Sequence, residues 1–341
     1  MRARLTARLA GAACGLAMAF AASPAAHAGP IAADGYTLEF ARKPGAIFDG
    51  LTRDGEALLV TDLAEGRLYR YAPGGTFAAF GPAFPHGVDV MGEPTGPYKA
   101  VRYGARYLVA VGWTPASRDE GPNDHALLAL DEKGNVQVVS SDFWNPYDLV
   151  VEGDVCFVVD AARNSVERLH ADGSGKATVF TFARLRQEEG VLKHLSPTEF
   201  TKKQVYEFDA VPTGIAAHGS RLYVSLFAGF PFLAGAGRVV SLPSAGETTS
   251  ARIETVNLNA PIDVAFDAEG NMLVLEHGLF DSSGGWVDGS GRLLRIDHAS
   301  GTRQVILSGL TRPTAILAFD ARQIVVSQLD GSLIFLKRKT N

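Results

Sequence analysis

Residues 211–242 read VPTGIAAHGSRLYVSLFAGFPFLAGAGRVVSL. A proline opens a short apolar run, a His-Gly-Ser turn follows, and a second apolar run leads through a Gly/Phe/Pro loop into a third. Runs of four to six residues rich in Val, Leu, Ile, Phe and Tyr, punctuated by Gly-containing turns, are the pattern of successive β-hairpins. The same plan recurs five more times. It starts at Ala46 (AIFDGLTRDGEALLVTDLAEGRLYRY) and at His86 (HGVDV, then YLVAV at Tyr107 and HALLAL at His125). It starts again at Asn145 (NPYDLVVEGDVCFVVDAARNSVERL), at Ala260 (APIDVAFDAEGNMLVLEHG, then GRLLRI at Gly291) and at Arg312 (RPTAILAFDARQIVVSQLDGSLIFL). FAAF at 77–80, VQVVS at 136–140, ATVFTF at 177–182 and RQVILS at 303–308 supply fourth strands between units. Four short antiparallel strands repeated six times predict an all-β fold, a six-bladed β-propeller. A two-sheet sandwich gives no reason for the repetition. YTLEF at 36–40 belongs to no unit, and the last unit has three strands. The N-terminal strand is therefore expected to complete the sixth blade from outside and close the ring.

The first 28 residues are read as a secretory signal, and residues 29–341 as a single propeller domain. Arg2, Arg4 and Arg8 precede an apolar run from Leu9 to Ala22, and Ala26-His27-Ala28 is a small-residue cleavage site. The mature chain would begin near Gly29, in the periplasm or outside the cell. Removing three arginines moves the formal charge from −5 to −8, which argues against nucleic acid and anionic membranes as partners. It also removes Cys14 and leaves Cys156 as the one cysteine, so no internal disulfide is expected. The longest uncharged run, Leu222 to Gly237, is broken by Pro231 and by glycines, and is too short for a membrane span.

Propeller topology turns positions within a unit into positions in space. The first strand lines the central channel, and the loops joining strands two and three share one face, the top, with the links between blades. Residues 113–124, 227–237 and 277–290 are such loops. Residues 183–210, with a part-helical piece expected from Ala183 to Leu195, link blades three and four. Residues 91–106 are assigned to the opposite face. Long loops on a rigid scaffold carry function, so the top face is where a site is sought. Acids gather there too. Near the start of strand one the units place Asp49, Asp89, Asp148, Gly214, Asp263 and Ala315, and at the end of strand two Asp62, Val111, Asp160, Leu226, Glu276 and Gln328.

Two readings of these acids stand side by side. In one they cap turns and accept backbone N–H groups of the next blade. In the other Asp49, Asp89, Asp148 and Asp263 converge on a Ca²⁺ ion, which takes six to eight oxygen ligands. Zinc is disfavoured, because no histidine pair has ligand spacing. His86 and His277 are rim residues by position, and Glu276–His277 is an acid/base candidate weakened by adjacency on a strand, where neighbours point to opposite sides. Phe227, Phe230 and Phe232 either pack over the neighbouring blade or offer a platform to a flat apolar ligand. No Gly-x-Ser-x-Gly elbow or phosphate-cradling glycine loop is present.

The combination PTGIA…LYVS…GFPFLAGAGRV, then PIDVAFDAEGNMLVLE, then GLTRPTAILAF, resembles the ScyD/ScyE family of secreted proteins, which are similar in style to NHL-repeat propellers. The likeness spans most of residues 44–336. It implies a six-bladed fold and export, and it names no catalytic residue. The family takes its name from proteins encoded beside scytonemin synthesis. This chain departs from the pattern with Asp89 and Asp148 where glycine is common, with Leu226 where an acid often ends the strand, and with a heavily inserted second unit. The leading expectation is an exported accessory module that grips a small molecule, glycan or protein at its top face. The alternative is a Ca²⁺-dependent hydrolase similar to the gluconolactonase (SMP-30-like) group. Blade four, with Gly214 and Leu226 in the acidic positions, is expected to leave a gap beside the Phe-rich loop, where binding is sought first.

Overall fold

The computed structural model describes residues 29–89, 91–112, 121–188, 205–246 and 248–339. Cys14 and the signal segment lie outside them. Six antiparallel sheets follow one another along the chain, with strands in sequential order from the channel outward except where an N-terminal strand is added at the outer edge of the last two. The chain is an all-β, six-bladed propeller. The first strands of the blades are Phe48–Asp54, Pro97–Tyr103, Pro146–Glu152, Pro212–His218, Pro261–Phe266 and Pro313–Ala318. Five of the six begin with proline, whose missing N–H is harmless at the first residue of a strand.

The apolar runs make the core because both faces of each inner strand are covered. In blade two, Tyr107 and Val109 face blade one while Leu108 and Ala110 face blade three. A strand buried on both sides reads as a continuous hydrophobic run. Among the described residues, six hydrophobic clusters fill the gaps between neighbouring blades, one per gap. Cys156 is a free buried thiol in the gap between blades two and three, and burial pushes its pKa up to about 12. No helix among the described residues is long and apolar enough to cross a membrane.

The ring closes as the sequence predicts. Tyr36–Arg42 pairs antiparallel with Ser332–Arg338 as the outermost strand of blade six, and Ile31–Ala32 adds a short fifth strand to blade five. Two expectations are corrected. Blade two begins at Pro97, ten residues later than the HGVDV segment, and Gly87–Val88 pairs with Pro94–Thr95 in a small hairpin on the top face. Residues 91–95 therefore lie on the top, where Met91, Glu93 and Pro94 line a cavity. In the blade three–four link, Leu185–Glu188 is a strand paired with Val205–Phe208, where a helix was expected. Its Leu185, Tyr206 and Phe208 are buried at period two, the strand alternation. Residues 113–120 and 189–204 lie outside the description.

Each blade is tied to the next by a polar contact beside the channel. The pairing of strands one and two slips at the start of strand one in all six blades, which frees backbone groups for other partners. In blade four the Ser225 hydroxyl accepts from Gly214 N (2.7 Å) and donates to Ile262 O of blade five (3.3 Å). Thr61 accepts from Gly50 N and donates to Tyr98 O of blade two (3.2 Å). Ser327 accepts from Ala315 N and donates to Asp49 O of blade one (2.7 Å). Blades three and five use the opposite arrangement. Asp148 accepts from Ile215 N of blade four (3.0 Å), and Asp263 from Ile316 N of blade six (2.8 Å). Lys99 of blade two reaches Asp148 of blade three at 3.1 Å. Where the strand-one residue is Gly or Ala, the strand-two partner is Ser or Thr. Where strand one carries Asp, the partners are Val159 and Leu275. A Cβ on Gly214 would lie 2.6 Å from Asp263 Cα and 2.8 Å from Ser225 Oγ, so blade four has no room for a side chain at this place.

Two outcomes follow. Ser225→Ala leaves the buried Gly214 N–H unsatisfied and should cost about 1–3 kcal/mol in urea denaturation, whereas an exposed serine such as Ser283 should cost nothing measurable. Deleting residues 29–42 should leave strand Ser332–Arg338 as a bare edge, lower the melting temperature and produce aggregates in light scattering.

Candidate functional site: the top-face cavity

The strand-pairing register aligns the blades residue by residue. Phe48, Pro97, Pro146, Pro212, Pro261 and Pro313 each oppose the end of strand two, at Asp62, Val111, Asp160, Leu226, Glu276 and Gln328. One residue on from the first set lie Asp49, Tyr98, Tyr147, Thr213, Ile262 and Thr314. All six line a single cavity of about 630 Å³ on the top face, and this ring is its floor. One residue after each strand-two end lie Leu63, Ala161, Phe227, His277 and Leu329, which line its sides. In blade two that place belongs to Gly112, where a Cβ would meet the Tyr98 ring at 1.8 Å. Volumes of a few hundred Å³ up to ~1,000 Å³ suit small organic ligands.

Two walls of different chemistry face each other. Phe227, Phe230 and Phe232 all line the cavity. Together with Trp286, Phe280 and His277 they form an aromatic cluster, in which His277 meets Trp286 edge to face at 4.6 Å and Phe232 lies tilted against it at 5.1 Å. Phe227 and Phe232 both pack and face the cavity, while Phe230 is 55% exposed at the lip. The other wall is polar. Tyr98 and Tyr147 stack at 4.4 Å, Tyr147 donates to Asp49 (3.3 Å), and Asn145, Asp89, Glu93 and Asp209 continue the surface. The Arg312 guanidinium bridges Glu93 and His277 across the mouth.

The register corrects the acid ring. Asp49 sits on the floor tier with Tyr147 and Thr213, one step above the tier of Asp148 and Asp263. That lower tier is Gly50, Lys99, Asp148, Gly214, Asp263 and Ala315. Asp89 lies in the 87–95 hairpin, where it accepts Met91 N and Glu93 N, and Lys99 occupies the strand-one place assigned to it. At the strand-two ends Asp62, Asp160 and Glu276 cap the preceding link by accepting Ile47 N, Asn145 N and Asn259 N, so for these the turn-capping account holds. Glu276 is also ion-paired to Arg292. His277 donates from Nδ1 to Pro313 O (2.9 Å) and meets Arg312 at Nε2. Burial first, then the Arg312 charge, pull its pKa down to about 3, so it is a neutral imidazole already engaged on both sides. His86 is held by Phe84 O (2.9 Å) and is absent from the cavity lining. The blade-four gap is filled: Gly214 is packed against Asp263 and Ser225, and the opening lies above it, beside Thr213 and Phe227.

Asp49, Asp148 and Asp263 are buried with Lys99 among them. Burial pushes Asp49 up to about 8, opposed by the Tyr147 hydrogen bond and the Lys99 charge and assisted by Asp148 and Asp263. Burial raises Asp263 to about 7. For Lys99 burial works against the charge, and the carboxylates Asp148, Asp263 and Asp49 outweigh it, so its pKa lies above the usual lysine range. The residues do not fit a Ca²⁺ ion. Both oxygens of Asp148 and both of Asp263 already accept backbone N–H groups, and an ammonium stands among them. Among the described residues no group of three or more His, Cys, Asp or Glu is arranged to hold a metal.

No protein-family model and no curated protein matches the chain. Solved structures do. The chain is similar to a gluconolactonase from Xanthomonas campestris, with a TM-score of 0.60, 14% identity, and 90% of this chain and 91% of that one covered. It is similar to regucalcin, a calcium-binding protein from Agrobacterium tumefaciens (TM-score 0.52, 14% identity, 87% and 93% covered). It is also similar to virginiamycin B lyase from Staphylococcus aureus (TM-score 0.51, 13% identity, 89% and 99% covered). At such identities the likeness establishes the fold.

The Asp49 carboxyl gives a pH test. Between its ordinary value of 3.8 and about 8, the folded chain holds a proton that the unfolded chain has released. Its contribution to stability therefore falls as pH rises through that window. Asp49→Asn removes the penalty, so the stability of the variant relative to wild type should be higher at pH 8 than at pH 5 by on the order of 1–3 kcal/mol. Urea midpoints at the two pH values measure it, and an equal difference at both would show that Asp49 ionises normally.

Proposed function

We propose that this chain is an exported propeller that binds a small amphipathic molecule in the top-face cavity. The carrying observation is the opposition, across about 630 Å³, of a Phe/Trp wall and a tyrosine–carboxyl floor. An aromatic or otherwise flat group would lie against Phe227, Phe232 and Trp286. A hydroxyl, carbonyl or amine would meet Asp49, Tyr147, Tyr98 and Asn145. Such sites are characteristically apolar with a few placed polar groups. Aryl glycosides and polyhydroxylated aromatics have this shape. The resemblance to ScyD/ScyE proteins supports export and an accessory role, and the N-terminal signal pattern supports the same location.

A lactone-opening reading is favoured by one observation, the likeness in fold to a gluconolactonase. In this chain it would rest on Asp49 and Tyr147 as hydrogen-bond partners of a lactone carbonyl, since the channel carboxylates are committed to backbone N–H groups and to Lys99.

A panel of aryl glycosides, polyhydroxylated aromatics and aryl lactones, read by Trp fluorescence and thermal shift, tests both. Binding should be saturable, and Phe232→Ala and Trp286→Ala should each weaken it about tenfold, the ~1.4 kcal/mol of a lost ring contact. A panel without a hit, or affinity unchanged in both variants, overturns the assignment. Ring-opened product from the lactone arm, lost in Asp49→Asn, would establish the second reading.

A further inference from the structure

At and just beneath the cavity floor, three carboxyl side chains and one ammonium share a buried space on the channel. Asp49 comes from blade one, Asp148 from blade three, Asp263 from blade five, and Lys99 from blade two. The Lys99 side chain is 14% exposed and its Nζ lies 3.1 Å from Asp148 Oδ1. The carboxyl-bearing residues are 3–5% exposed. A buried carboxylate is tolerated only when paired and hydrogen-bonded. Here Asp148 and Asp263 have the backbone N–H bonds, and Lys99 brings a positive side-chain charge that acts on all three acids. Many proteins meet the same problem of convergent acids with a divalent cation.

We infer that Lys99 is the resident cation of this channel. Its ammonium is the built-in counter-charge to Asp49, Asp148 and Asp263, and it leaves the ring under the cavity independent of divalent metal. The polypeptide carries its own charge balance, fixed in register by Pro97 at the head of the strand. Lysine suits the place because its compact ammonium sits on a flexible stem and can reach the axis from one blade, whereas the planar guanidinium of arginine needs a broader partner face. The inference stands apart from the identity of any ligand above the floor, because its readouts are metal binding and stability.

The test uses the chain from Gly29 with calcium alone as the probe. Wild type should melt at the same temperature in chelator and in millimolar calcium, and terbium should give no sensitised emission. Lys99→Met keeps the stem and removes the charge. Its melting temperature should fall by about 5–10 °C, the effect of stranding buried acids. If K99M does not fold, K99M/D49N, which removes with the charge the acid whose hydrogen bond comes from the Tyr147 hydroxyl and can pass to an amide oxygen, should recover the fold. A wild-type melting temperature that moves with calcium or chelator overturns the inference. So does a K99M protein as stable as wild type, or a K99M/D49N variant that also fails to fold.

Discussion

The constraint on which this structure depends is that six wedges of sheet must meet on an axis without leaving a backbone polar group stranded. Strand one of each blade slips against strand two near the top, and the groups released there are buried. An unpaired buried N–H or C=O costs as much as several good contacts return. The chain meets the requirement in five blades with a hydroxyl on strand two behind a glycine or alanine or with a carboxylate on strand one before an aliphatic, and in blade two Lys99 instead ties its blade to Asp148 of the next. Each device also grips the next blade, so the same bonds that satisfy the backbone hold the ring at six.

That arrangement explains what could be read beforehand. The strand-two ends were legible most clearly in the four units where a continuous apolar run stops at Asp62, Asp160, Glu276 or Gln328, whose side chains accept backbone N–H groups of the links in front of them. Ring closure was legible from one orphan strand. The floor was harder. Asp49 reads one place early because Asp-Gly in blade one imitates the Tyr-Asp of blade three, and only the pairing register separates the tiers. His-Gly-Val-Asp-Val imitates a channel strand and drew Asp89 into a ring to which it does not belong. The true counterpart was visible: Gly96-Pro97-Tyr98-Lys99 matches Asn145-Pro146-Tyr147-Asp148 position by position. Lys99 lies within residues 91–106, which read as an insertion on the opposite face, and that masked it.

The paired choice of Gly50 with Thr61, Gly214 with Ser225 and Ala315 with Ser327, against Asp148 with Val159 and Asp263 with Leu275, is a signal that spans about a dozen residues inside each unit. It was present in the sequence and carries the blade-to-blade contacts. Reading it requires knowing that the two places are neighbours in the folded blade. The cavity, by contrast, depends on links and hairpins from five different stretches, and nothing local relates Trp286 to Tyr147. Their meeting is a property of the closed ring.

Closure has a kinetic side. The strand that seals blade six comes from the first part of the folded chain and pairs with its last, as in the Lys337–Glu39 contact, across a sequence separation of 298 residues. Blades can form from neighbouring residues, but the seam cannot form until nearly the whole polypeptide is present. Contacts so distant in sequence are the slow ones. The floor tyrosines, the aromatic wall and the mouth arginine are therefore brought into register by the final event of folding, and an open ring is a chain with blades but no site.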